Sequence, residues 1–165
     1  MAIVARDVMQ ADVKTVDPDL TLAELEQLLI SEKVSGVPVV GEGRLAGIVS
    51  RTDIVRALSQ EHGRAESLVS YYVEQGAMEI SELEYLARET QMVAERMAKL
   101  RVRDAMTETL ITVAPDASVS DVARTMEEHG IHRVLVAEDR TLLGIVSSLD
   151  LVRLISRGQL QPASA

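Results

Sequence analysis

Gly47-Ile48-Val49-Ser50-Arg51-Thr52-Asp53-Ile54 returns 97 positions later as Gly144-Ile145-Val146-Ser147-Ser148-Leu149-Asp150-Leu151. Carried outward at the same offset, the whole stretch Arg6 to Arg56 overlies Arg103 to Arg153 without a gap. Asp7 meets Asp104, Met9 meets Met106, Thr15-Val16 meets Thr112-Val113, and Pro18-Asp19 meets Pro115-Asp116. About a third of the aligned positions are identical, so one supersecondary unit occurs twice. A unit of about 50 residues rarely buries an adequate core alone. The two halves are therefore expected to pack face to face about a pseudo-twofold axis, with paired clefts where they meet.

Each copy reads as strand, helix, strand, strand, helix. Val13 to Val16 is rich in β-branched residues and ends at Asp17-Pro18, where proline stops regular pairing. Leu22, Leu25, Leu28 and Leu29 then form a helical stripe behind Thr21, with Glu24 three residues on as a capping box. The second copy repeats this with Val119, Val122 and Met126 behind Ser118 and Asp121. Val37 to Val40 and Arg44 to Ser50 read as strands around a hairpin turn at Gly41-Glu42-Gly43. Their nearly continuous apolar character predicts that both sheet faces are covered. Helices over 51–58 and 148–155 close the two copies.

This is an α/β fold of the α+β kind. It divides into a first repeat over 1–58, a helical insert over 59–101, a second repeat over 102–157 and a tail over 158–165. The insert is too long for a simple link. Ser81 and Glu84 can cap a helix whose Leu83, Leu86, Thr90, Val93, Met97 and Leu100 alternate spacings of three and four. That narrow seam suits another helix, either the 68–73 segment or the same helix in a second chain.

Composition narrows the function. Hydrophobic residues at 47% and charged residues at 26% mark globular material, and no apolar run is long enough to cross a bilayer. The N-terminus lacks a basic start followed by an apolar stretch, which predicts a cytoplasmic protein without contact to membranes. A net charge of −9 argues against nucleic acid as a partner. It leaves room for a small phosphate ligand held by one or two local arginines. The absence of cysteine removes disulfides, thiolate metal sites and cysteine nucleophiles. Tyr71, Tyr72 and Tyr85 are the only aromatic residues and all fall in the insert, so a planar ligand in the repeats must rest on aliphatic groups and backbone.

The ordered pieces now suffice for a resemblance. Asp7-Val8-Met9, Thr15-Val16 ahead of Pro18, Ser35-Gly36-Val37-Pro38-Val39-Val40 and Gly47 to Ile54 resemble a CBS motif. So do Ala105-Met106, Thr112-Val113 with Pro115, Ile131-His132-Arg133-Val134-Leu135-Val136 and Gly144 to Leu151. The chain is similar to a tandem CBS pair, or Bateman module, over about two thirds of its length. The resemblance implies regulation by an adenosine-containing ligand such as AMP, ADP, ATP or S-adenosylmethionine, bound in the two clefts between the repeats, with no cofactor required. It also implies a homodimer in which paired helices build a flat disc. With no effector domain fused, output would pass through that dimer or a separate effector protein, and the tyrosine-bearing insert is the candidate contact surface.

Ser50 with Asp53, echoed by Ser147 with Asp150, is the principal site signal. At a strand-to-helix turn an aspartate can accept from both ribose hydroxyls, with the serine assisting. The same Ser-x-x-Asp spacing is also an ordinary capping box, and both roles can coexist. The resemblance implies that Thr15-Val16 with Val37-Pro38, and Thr112-Val113 with Val134 and Leu135, form adenine slots in which strand-end backbone reads the base edge and valines cover its faces. The alternative is plain core strand.

His132 and Arg133 stand opposite Ser35 and Gly36, which makes the two clefts unequal. Arg133 can grip two phosphate oxygens and a protonated His132 a third, or these cations can serve the end of the preceding helix. His129 and His132 lack a third ligand, so no metal site is expected. No catalytic constellation is present: a nucleophile elbow, a P-loop and a metalloprotease signature are all missing.

Overall fold

The computed structural model describes residues 3–59 and 82–159, with side chains from residue 88 onward in the second stretch. Elements follow in the order α1 (Ala5–Val8), α2 (Leu22–Ser31), β1 (Gly36–Gly41), β2 (Arg44–Ser50), α3 (51–59), α4 (Glu82–Lys99), α5 (Val102–Ala105), β3 (Thr112–Val113), α6 (Val119–His129), β4 (Arg133–Glu138), β5 (Thr141–Ser147) and α7 (Ser148–Ser156). This is the mixed α+β content expected of the repeated unit.

The chain forms two compact units that do not follow the repeat boundaries. One holds residues 1–14, 42–45 and 109–165, and the other 15–41 and 46–108. We call them units 1 and 2. The leading helix of each repeat is thus packed with the body of the other repeat, and the same three backbone bonds fix it both times. In unit 1, Ala5 donates to the Ala117 carbonyl at 2.8 Å, Arg6 to Pro115 at 2.9 Å, and Val119 to Ile3 at 3.2 Å. In unit 2, Val102 donates to Leu20 at 2.8 Å, Arg103 to Pro18 at 3.0 Å, and Leu22 to Leu100 at 3.0 Å.

The residue after each leading helix then pairs with a strand edge: Gln10 bridges Ile145, and Thr107 bridges Ile48. Glycine is needed at this approach. A Cβ on Gly144 would lie 2.7 Å from the Met9 sulfur and 2.8 Å from the Gln10 carbonyl, and one on Gly47 would lie 2.8 Å from the Thr107 carbonyl.

Unit 2 buries Leu22, Leu25 and Leu29 of α2 against Val37, Val39 and Val49 of the β1–β2 hairpin. Thr21 caps α2 as its pattern predicts, accepting from the Glu24 N–H at 3.2 Å while Glu24 accepts from the Thr21 N–H at 2.9 Å. Met97 joins this core, with Val93 and Leu100 packed beside it, so α4 lies on α2. The lower half of the predicted seam thus packs within unit 2 on α2, a partner the sequence reading did not name. The 68–73 segment and the Ser81 cap lie outside the described residues.

Unit 1 has a smaller-residue core of Ala5, Val113, Val122, Met126, Val134, Val136 and Val146. Here β3 runs parallel to β4, which pairs antiparallel with β5. The strand read over Val13–Val16 shrinks to one parallel bridge, Val16 to Val39, and its copy to the two-residue β3. Coverage of both sheet faces holds for β1, where Val37, Pro38 and Val39 are buried in succession. It fails for β2, whose burial alternates.

Candidate functional site

Each unit gathers one complete set of the residues singled out above. In unit 2 the Val16 N–H donates to Pro38 and the Val40 N–H to Val16, which lays Thr15-Val16 along β1. At the start of β1, the Arg51 N–H donates to the Ser35 carbonyl at 3.1 Å, and a Cβ on Gly36 would sit 2.9 Å from the Val49 carbonyl. Ser35-Gly36 is thereby fastened to the turn that carries Ser50 and Asp53. In unit 1, Thr112-Val113 lies in register with Leu135-Val136, Arg133 with Ser147, and the Ser148 N–H donates to the His132 carbonyl at 2.9 Å.

The side chains divide by exposure. Val16 and Val37 belong to one core, and Val113 and Val134 to the other. Their faces are therefore committed to packing. Thr15, Ser35, Thr112, His132 and Arg133 are exposed. Backbone edges and these polar side chains are what remain to meet a ligand.

Both aspartates are buried and both act as caps. Asp53, at 6% exposure, receives the Ser50 N–H at 2.8 Å and hydroxyl at 2.7 Å on Oδ2, and Arg56 at 2.9 Å on Oδ1. Asp150, at 7%, receives the Ser147 N–H at 2.9 Å and the Ser147 hydroxyl on Oδ2, with Arg153 at 2.9 Å on Oδ1. Gln10 approaches both Asp150 oxygens at 3.4 Å. Burial pushes the Asp150 pKa up, but hydrogen bonds from Ser147 and Gln10 and the charge of Arg153 outweigh it and leave it below the usual carboxylate value.

Sequence reasoning passed over Arg56, Arg153 and Gln10. The arginines had a signal, because Ser-x-x-Asp-x-x-Arg occurs in both copies and i,i+3 residues meet on a helix. Gln10 had none, since it lies 140 residues from Asp150. Among the described residues no group of three or more His, Asp or Glu is placed to hold a metal, and the His129 Nδ1 pairs with the Thr125 carbonyl at 2.9 Å.

A CBS-domain model matches residues 5–60 and 102–157, the two stretches that carry the Thr-Val edges and Ser-x-x-Asp turns. The chain belongs to the CBS-domain family and carries the domain twice. It is 31% identical over 150 residues to an uncharacterised protein of Methanocaldococcus jannaschii, covering 89% of this chain and 88% of that one. It is also 29% identical over 154 residues to a homoserine O-acetyltransferase of Methanohalophilus mahii, covering 92% of this chain but only 24% of that enzyme.

Among solved structures it resembles the CBS domain of a membrane protein from Sphaerobacter thermophilus, with a TM-score of 0.68, 30% identity, and 93% and 88% of the two chains covered. It also resembles a CBS domain pair crystallised with 5′-methylthioadenosine and S-adenosylmethionine, with a TM-score of 0.62, 25% identity, and 93% and 99% covered. No helix of the described residues is long and apolar enough to cross a membrane.

Proposed function

We propose that this CBS pair is a non-catalytic regulatory module that takes up an adenosine-containing ligand, AMP, ADP, ATP or S-adenosylmethionine, at one site in each unit. The observation that carries the reading is the doubled assembly itself: a Thr-Val backbone edge, an adjoining strand start and a Ser-x-x-Asp turn converge in both units. A similar pair that holds two adenosine compounds supports the ligand class. Thr15, Val16, Ser35, Gly36, Val37, Pro38, Ser50 and Asp53 form one site. Thr112, Val113, His132, Arg133, Val134, Ser147 and Asp150 form the other. At Asp150 a ribose hydroxyl displaces Gln10 most cheaply, because a 3.4 Å contact is well beyond the usual hydrogen-bond optimum. Arg133 and His132 give unit 1 the preference for a phosphate-bearing ligand.

The signal leaves through a homodimer and a separate effector protein in the cytoplasm. Leu149, Val152 and Ile155 of α7, at 54%, 54% and 62% exposure, form an apolar stripe suited to a second copy, as does Val55 at 63%.

The cap bonds and ion pairs that both carboxylates already make favour a second reading, a ligand-independent interaction protein in which Asp53 and Asp150 serve as caps only. A thermal-shift screen with AMP, ADP, ATP and S-adenosylmethionine separates the two. A ligand at about 100 times its Kd stabilises the fold by about 2.7 kcal/mol. Stabilisation that Asp150→Asn or Asp53→Asn abolishes is the expected result. No shift with any of the four establishes the second reading.

A further inference from the structure

Unit 1 contains a cavity of about 480 Å³ that shares only Asp150 with the sites proposed above, within the size range of small-molecule sites. One wall is the N-terminal segment, with Ile3 and Val8 as its apolar part and Asp7 beside them. The other is one face of α7, with Asp150, Arg153 and Leu154, continued by Arg157 at the helix C-cap. Asp150 is the only residue shared with the proposed adenosine site: Thr112, Val113, His132, Arg133, Val134 and Ser147 are absent from the lining.

The duplication supplies an internal control for what this cavity is for. At the 97-residue offset Asp150 and Arg153 correspond to Asp53 and Arg56, which make the same ion pair, so that pair is part of the common scaffold. Asp7 corresponds to Asp104, and each accepts a backbone N–H three residues earlier, from Val4 at 3.0 Å and from Arg101 at 2.8 Å. Arg157 corresponds to Gln60 and has no counterpart charge. Its guanidinium makes no ion pair among the described residues, while its neighbour Arg153 is already held by Asp150. Placement at a helix C-terminus accounts for a cation there in general. It does not account for an unpaired guanidinium facing a cavity floored by Ile3, Val8 and Leu154.

The geometry points to a binding site for a phosphate or carboxylate group on a small molecule with an apolar body, with Arg157 as the anion's main partner. A guanidinium offers such a group two parallel donors, and the aliphatic wall takes the body. The anion arrives either as the phosphate of a nucleotide other than the one served by Arg133 and His132 or on a separate metabolite. The site does not depend on the adenosine reading.

Amide and arginine side-chain NMR signals of the full chain, titrated separately with monobutyl phosphate, AMP and adenosine, test this. Monobutyl phosphate or AMP, but not adenosine, is expected to shift Leu154 and Arg157. Arg157→Gln, which installs the first repeat's residue at an exposed position, should weaken that binding by about tenfold. A response to AMP identifies a nucleotide as the source, and a response to monobutyl phosphate alone identifies a separate metabolite. The inference is overturned if neither anion shifts these residues, or if Arg157→Gln binds as tightly as the native chain. Adenosine shifts at Thr112 and Val113, read in the same spectra, report on the adenosine site independently.

Discussion

The two halves turn the same left-handed corners with opposite residues. Just past α6 the second repeat has Gly130 at φ 61°, where the first repeat has Lys33 at φ 55° just past α2. At the hairpin the glycine changes sides: Gly43 at φ 75° in the first repeat faces Arg140 at φ 66° in the second, each after an acidic residue that also has positive φ. Each half therefore carries one corner eased by glycine and one held by its surroundings. The Arg140 carbonyl, for instance, accepts the Leu45 N–H at 2.7 Å. The backbone path belongs to the fold, and the local residue only sets its cost.

The largest contrast should come from the cores. Leu25 and Val122 occupy equivalent places on α2 and α6 and both are fully buried. Leu25→Ala should cost about 3 kcal/mol in urea unfolding, because it leaves a cavity among close-packed leucines. Val122→Ala removes less and should cost about 2 kcal/mol. Equal costs would break the view that unit 2 carries the heavier core.

The acid response should sharpen the comparison next. The folded Asp150 pKa is depressed, so its contribution is fully present above the unfolded value of about 3.9 and is lost as pH falls through the lower folded value. Native protein should lose stability more steeply than Asp150→Asn below about pH 4, while the two run parallel near neutrality. Parallel curves throughout would remove the ion pair and caps from the account.

The smallest effects test the corners. Arg140→Gly should stabilise by about 1 kcal/mol and Gly43→Ala destabilise by about the same, both read as midpoint shifts in denaturant. If Arg140→Gly destabilises, the arginine side chain contributes more than its backbone strain costs.

Much of this was legible in the chain. The caps Thr21–Glu24, Ser118–Asp121 and Ser147–Asp150 are contacts across three residues, so their residue types announce them. The Ser-x-x-Asp turns were located correctly, but the company they keep was not. Arg56 and Arg153 take the outer oxygen of each aspartate, and the valines of the two Thr-Val edges pack in the cores, as the plain-strand alternative left open. A periodic apolar pattern marks a residue as buried without saying against what, and this is also why the α4 seam did not reveal α2 as a neighbour.

By itself the sequence determined the duplication, the order of elements in each copy, the capped helix starts and the membership of two aspartates in strand-to-helix turns, because all of these are local or repeat at a fixed offset. Tertiary structure alone decided that α1 and α5 each pack with the other repeat's body, that α4 lies on α2, and that Gln10 reaches Asp150. These contacts join residues far apart along the chain, where no period or spacing links them. They form because backbone hydrogen bonds and apolar faces left open by one segment must be satisfied by whichever segment the fold brings alongside.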